Sequence, residues 1–397
     1  MKRFVLCLAF AVGLAMAAGC GDNENNGDDN ALGNDTITGD VVVVLDSQTP
    51  LDTADRTDTT GGDDTITGID TATNEDTTTG VDTTVPEDTA VPTDTAVPED
   101  TSTGDPDVTV EPIPFTCSTG NVTDGWNKGR SIAGKTRDFY VVLPENPDNK
   151  PVGVIFVFHG FGDNVDNFKA FFNPNPDTDP DFPYVLVYPK SLALAPGLGG
   201  MEGLEWYIFE SADGDSNPDA MFFEEILGCL ASTVTVDPGS VFAFGFSAGA
   251  IFTNLLHSRY PDILQDVLSM SGAWFNDADT VDGVNTLGMA TLDWADMTDT
   301  TGTVFMTHGG QDDTYGSMGI TIIDFEQSAG YAIPFLTGNG RTIVDCPHTS
   351  GHTNHPEIAN SDIIRFFKDH RGAGVSPYAT GGLPSGVFPS GCTIQPE

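Results

Sequence analysis

The chain has 397 residues, with 59 acidic side chains against 15 Lys and Arg and a formal charge of −44. So large an acidic excess repels nucleic acid and anionic surfaces, which excludes both as partners of the protein surface. Length admits more than one domain, but a single α/β sheet can absorb most of it, so the boundary has to come from the texture of the chain.

Residues 1–19 open with Lys2 and Arg3, continue as an apolar run and reach small residues before Cys20. This is the pattern of a secretory signal, too short for a spanning helix. Residues 17–20, Ala-Ala-Gly-Cys, are similar to the bacterial lipobox, which implies lipidation at Cys20. Acyl chains there would supply about 0.8 kcal/mol per buried CH₂ and hold an exported protein on a membrane of the cell envelope or surface. Without the anchor the protein would be extracellular.

Residues 20–113 are Asp, Thr, Gly, Pro and Asn with few large apolar side chains, and Arg56 is the one base before Glu111. Such a segment cannot offset its chain entropy by burial, so a disordered linker is expected. The phrase VPEDTA, VPTDTA, VPEDTS recurs from Val85 to Ser102. Its prolines and like charges stiffen a coil into a stalk.

From residue 114 to the C-terminus the texture changes to short apolar runs alternating with helix-like stretches. That pattern predicts an α/β fold, a mostly parallel sheet covered by helices on both faces. Predicted strands are Phe139–Pro144, Val152–Gly160, Tyr184–Pro189, Val241–Ser247, Val267–Gly272, Thr303–Gly309 and Arg341–Cys346. Predicted helices are Ala220–Ala231, Gly249–Ser258 and Ile358–His370, the last following Pro356 and ending near Gly372.

Gly245-Phe246-Ser247-Ala248-Gly249 is a G-x-S-x-G pentapeptide where an apolar strand meets a helix, the context of a nucleophile elbow in the α/β-hydrolase fold. A serine hydroxyl needs a His to take its proton and a carboxylate to orient that His. Partners in this fold follow the order Ser, acid, His. Asp312, just past the strand TVFMTH, is the candidate acid, with Asp313 as the fallback. The next strand leads into DCPHTSGHTNHPEI, so His348, His352 and His355 all qualify as the base, and order does not separate them. Three His so close could suggest a metal, but their spacing lacks the thiol or carboxylate register of a tetrahedral site. No metal or cofactor is expected.

An oxyanion hole requires two amides, one after the nucleophile and one after an earlier strand. Ala248 and Phe161, in His159-Gly160-Phe161-Gly162, are the candidates.

RDFYVVLP, FVFHGFGDN, YVLVYP with Trp206, VDPGSVFAFGFSAGA, THGGQDD, GHTNHP and IIRFFKDH occur in this order along the chain. Together they resemble the secreted polyhydroxybutyrate depolymerase and feruloyl esterase group of α/β-hydrolases, over most of Cys117 to Arg371. The resemblance implies Ser247 as nucleophile, Asp312 as acid and His352 as base. It also implies hydrolysis of polyester or of feruloyl or acetyl polysaccharide esters without a cofactor, and a monomer is expected. The segment DTYGSM and the GHTNHP loop depart from the group's usual pattern.

Trp206 and Trp274 follow carboxyl ends of strands, where ligands bind in open α/β sheets, and are placed to line the substrate pocket. The other place for either is the core. Four cysteines remain in the exported domain, and topology favours Cys117 with Cys229 and Cys346 with Cys392. A reading from a different class is a catalytically inactive surface binding or adhesion module on the same fold; an intact Ser, acid and His in order weighs against it.

Overall fold

The structure, a computed structural model, describes residues 112–395 apart from 147–148, 193–205, 209–216, 277–279, 281–293, 295–296, 298–300, 318–319 and 373. The signal segment, Cys20 and the acidic linker up to residue 111 lie outside the described residues.

A nine-stranded sheet forms the centre of the folded unit. In chain order its strands are β1 (Gly125–Ile132), β2 (Lys135–Val142), β3 (Val152–Phe158), β4 (Tyr184–Pro189), β5 (Val236–Phe246), β6 (Val267–Met270), β7 (Thr303–His308), β10 (Thr342–Pro347) and β11 (Thr393–Gln395). They lie side by side as β1-β2-β4-β3-β5-β6-β7-β10-β11, parallel from β4 to β10 and antiparallel at both margins. A separate hairpin pairs β8 (Thr314–Ser317) with β9 (Ile320–Asp324).

The central strands are apolar without alternation because both faces are covered. Within β3 the period of two sends Val154, Phe156 and Phe158 into one core cluster and Ile155 and Val157 into the other. The first cluster holds side chains of α2 (Pro218–Ala231), α3 (Ala248–Arg259) and α4 (Phe325–Gly338); the second holds those of α1 (Val165–Phe171) and α5 (Asn360–Asp369). A short α6 (Pro377–Gly381) follows.

Local chemistry sets the element ends. Ala133 and Gly134 both take positive φ, the signature of the tight turn joining β1 to β2. Asn164 and Asn217 accept backbone N–H bonds at the starts of α1 and α2, and Pro218 occupies the first turn of α2, where no donor is lost. Disulfides join Cys117 to Cys229 and Cys346 to Cys392, tying the entering strap to α2 and β10 to the C-terminal segment. In the chain-entropy model a link spanning 112 residues contributes about 4–5 kcal/mol.

Strand order positions the site. The chain leaves β3 for β4 on one side and β5 for β6 on the other, so the order reverses between β3 and β5. In open α/β sheets ligands bind at such a reversal, beyond the carboxyl ends of the two strands. The loops emerging there begin at His159 and at Ser247.

Candidate active site

Ser247 sits between β5 and α3 with φ +55° and ψ −122°, a conformation L-residues rarely adopt. Its neighbours make the turn possible. A Cβ on Gly245 would come within 2.3 Å of Gly249 backbone, and one on Gly249 within 2.1 Å of the Phe158 carbonyl oxygen. The Ser247 N–H donates to Met270 O at 2.9 Å, and its carbonyl accepts from Ile251 as the first bond of α3. The strain is thus held by β6 on one side and the helix on the other.

The Ser247 hydroxyl lies 2.9 Å from Nε2 of His352, and His352 Nδ1 lies 2.6 Å from Oδ1 of Asp313. Since Asp313 Oδ1 accepts from Nδ1–H, Nε2 carries the lone pair and accepts from the serine. The imidazole packs against Phe325, parallel at 4.7 Å, and against Phe246 at 4.9 Å.

The carboxylate at His352 is Asp313, so the expectation of Asp312 is corrected. Residues 310–312 form a 3₁₀ turn closed by Asp313 N–H to Gly310 O at 2.8 Å. That turn leaves Asp312 exposed and turns Asp313 fully inward. Its Oδ2 accepts from Ser271 Oγ at 2.8 Å and Gly309 N at 2.7 Å, which satisfies the buried carboxylate. Neither donor was singled out from the sequence, and the signal was only that both follow strand ends.

His348 and His355 do not reach Ser247. Each is buried, and its Nδ1 accepts an amide of its own loop, from Ser350 at 3.2 Å and Glu357 at 3.1 Å. Burial lowers both imidazoles' pKa values. Their rings meet edge to face at 5.0 Å and brace the loop that carries His352.

His308 forms a second histidine–carboxylate system. Its Nδ1 pairs with Glu326 and its Nε2 with Asp345 Oδ1 at 3.0 Å. Burial alone would lower its pKa, but Asp345 and Glu326 together outweigh burial and raise it.

Among the described residues neither the Ala248 amide nor the Phe161 amide has an acceptor. Ala248 is the first residue of α3, where N–H groups are left open by helix geometry. Phe161 follows Gly160, whose backbone packs beside Ser247 Cβ. Such a pair of open amides beside a nucleophile can stabilise a developing oxyanion.

The expectation that Trp206 and Trp274 line the pocket is corrected. Trp206 is 3% exposed, stacks on Phe252, and donates its indole N–H to His159 O at 2.8 Å. Trp274 is fully buried in the same core. The exposed aromatics near the serine are instead Phe161 and Tyr315, 47% and 38% exposed, with rings 5.9 Å apart. Tyr315 lies two residues beyond Asp313, in β8.

No protein-family model matches the chain. It is 24% identical over 133 residues to feruloyl esterase B of Talaromyces funiculosus, a match covering 34% of this chain and 35% of that protein. It is 26% identical over 166 residues to feruloyl esterase D of Neurospora crassa, covering 40% and 53% respectively. The chain therefore spans between about a third and a half of the length of the curated relatives it matches. The solved structure of native pOPH aligns with a TM-score of 0.55 at 18% identity, covering 70% of this chain and 96% of that one. At that identity the likeness is one of fold, the α/β-hydrolase fold. The curated relatives are carboxylic ester hydrolases, and the chain is homologous to them over the matched stretch.

Proposed function

We propose that this protein is a serine carboxylic ester hydrolase working through an acyl-enzyme. The observation that carries the reading is the hydrogen-bonded line Ser247 Oγ, His352, Asp313, with its 2.9 Å and 2.6 Å contacts. Ser247 Oγ attacks the ester carbonyl while His352 Nε2 takes its proton; His352 then returns it to the leaving alcohol. Asp313 holds the imidazole in the required tautomer. Ala248 and Phe161 amides bind the oxyanion, and water, activated by the same His, releases the acid. No step requires a metal or cofactor.

Of the substrate classes implied by sequence, the polysaccharide feruloyl ester is favoured over the polyester. The relatives are feruloyl esterases, and the exposed Phe161–Tyr315 pair offers ring faces to an aromatic acyl group. The disulfides suit an oxidising compartment, which supports export. We read Cys20 as the lipid anchor and residues 20–113 as the tether of a monomeric catalytic domain at 114–397. Among the described residues no helix is long and apolar enough to cross a membrane.

The test is hydrolysis of p-nitrophenyl esters from acetate to octanoate, and of methyl ferulate, by the full chain and its Ser247→Ala variant. Turnover by the wild type, lost in the variant at unchanged thermal stability, is the expected result. Turnover surviving in Ser247→Ala would remove the serine from the mechanism.

A further inference from the structure

The mechanism leaves unused a buried titratable side chain next to the loop that carries Phe161. His159 directly follows β3, is 1% exposed, and places Nδ1 2.9 Å from the carbonyl oxygen of Gly160. A carbonyl only accepts, so Nδ1 carries the proton. Nε2 then bears a lone pair, and among the described residues it has no hydrogen-bond partner. Burial lowers the pKa of this imidazole, which favours the neutral form in which Nδ1–H donates.

The backbone on which this ring stands is fixed. Trp206 donates to the His159 carbonyl at 2.8 Å, and Gly249 of α3 packs against the carbonyls of Phe158 and His159. Trp206 itself stacks on Phe252 and meets Phe158 edge to face, and the next amide, Tyr207 N, donates to Asp219 at 2.7 Å. Asp219 is held in turn by the buried Arg137. The chain of contacts leads from core to loop and ends at the Gly160 carbonyl.

That carbonyl and the Phe161 N–H belong to one peptide unit. In a planar trans peptide the two point in opposite directions, so fixing one fixes the other. The Gly160 carbonyl accepts from His159 Nδ1 and, at 3.3 Å, from Asp163 N. The Phe161 N–H, on the opposite edge, has no acceptor among the described residues.

We propose that His159 is a positioning residue: its Nδ1–H holds the Gly160 carbonyl and thereby keeps the Phe161 amide aimed at the oxyanion beside Ser247. Without that donor the peptide is left with the longer bond to Asp163 N alone, and a rotated peptide would present a carbonyl oxygen where the oxyanion needs a donor. This rests on the esterase reading, since the role has meaning only if an oxyanion forms there.

The experiment compares the full-length wild type with His159→Asn, His159→Gln and His159→Leu. Asn places an amide N–H where Nδ1 stands, Gln places one nearer the position of Nε2, and Leu supplies volume without a donor. For p-nitrophenyl acetate, Leu and Gln should lower kcat by about 10²-fold, the low end of the cost of losing one oxyanion donor, with KM within a few-fold of wild type. Asn should recover most of the loss. An alkylboronic acid, whose serine adduct places oxygen in the hole, should lose affinity in Leu and Gln by a similar factor, whereas a ground-state carboxamide analogue should not. Equal kcat in all four proteins overturns the proposal, as does a loss shared by Asn and Gln alike. If Leu fails to fold, the Asn–Gln contrast decides the matter alone. A wild type that hydrolyses no ester and binds no boronic acid overturns the esterase reading itself, and this inference with it.

Discussion

Two histidine–carboxylate systems stand side by side at the carboxyl ends of β7 and β10, and only one of them faces a hydroxyl. His352 is held by Asp313 on Nδ1 and accepts from Ser247 on Nε2. His308 is held by carboxylates on both nitrogens, Glu326 and Asp345. The same two residue types therefore leave one imidazole with an acceptor nitrogen at a hydroxyl and give the other a carboxylate on each nitrogen, which raises its pKa. What differs is the second nitrogen: a lone pair aimed at a weak acid can take a proton, whereas two flanking anions hold the proton in place. His308 also borders the acid loop, since Gly309 donates to Asp313 and Gly310 donates to Glu326.

The largest test of that contrast exchanges the histidines one at a time. His352→Gln should lower kcat for a p-nitrophenyl ester by about 10⁴- to 10⁶-fold, the range seen when a triad base is removed. His308→Gln should leave kcat within about tenfold and lower stability by roughly 1–3 kcal/mol, the cost of charge-assisted bonds left unmade. Because Glu326 is substantially solvent-exposed, the lower half of that range is expected. Urea midpoints measured beside kcat separate the two; a His308→Gln enzyme as dead as His352→Gln would erase the distinction.

A second comparison sharpens the acid assignment. Asp313→Asn should cost about 10⁴-fold in kcat, because an amide cannot hold the same tautomer of His352. Asp312→Asn, one residue earlier and exposed, should change kcat less than about threefold. Reversal of those two effects would return the role to Asp312.

The neighbouring aspartates also mark where sequence reasoning stops. The parallel core strands were legible because a strand buried on both faces writes itself as an unbroken apolar run, as in VGVIFVF and YVLVYP. The elbow was legible because Gly245 and Gly249 are needed by local sterics whatever surrounds them. A shift of one residue between Asp312 and Asp313 was not, since it depends on a 3₁₀ turn that Gly-Gln-Asp does not announce. His348, His352 and His355 share one loop, and only the three-dimensional path shows two of them bonding to their own backbone. Trp206 and Trp274 failed as pocket residues because an aromatic just past a strand end suits the core as well as the crevice. α4 escaped notice because Pro334 lies inside it, and β1, β8, β9 and β11 because antiparallel strands at a margin or in a small hairpin lack the long apolar run of a central parallel strand.

The smallest expected effect is the dependence of stability on pH. The folded-state pKa of His308 is raised: burial opposes the charged form, but Asp345 and Glu326 together prevail. A raised pKa means that the folded state binds the proton more tightly than the unfolded one. Its stabilisation is fully present below the ordinary imidazole value of about 6.5 and is lost as pH rises through the folded value. His257 and His370 act oppositely, because burial depresses them to about 3 and about 4. The unfolded chain then binds protons first, and stability is lost as pH falls below about 6.5 toward those values. Urea midpoints taken from pH 5 to 9 should therefore show wild type weakening relative to His308→Gln on the alkaline side, by roughly 1 kcal/mol. On the acid side His370→Gln should lose less than wild type, because the titrating imidazole is gone. Parallel curves for wild type and His308→Gln would mean that Glu326 and Asp345 hold a neutral ring, and the contrast between the two histidines would then rest on geometry alone.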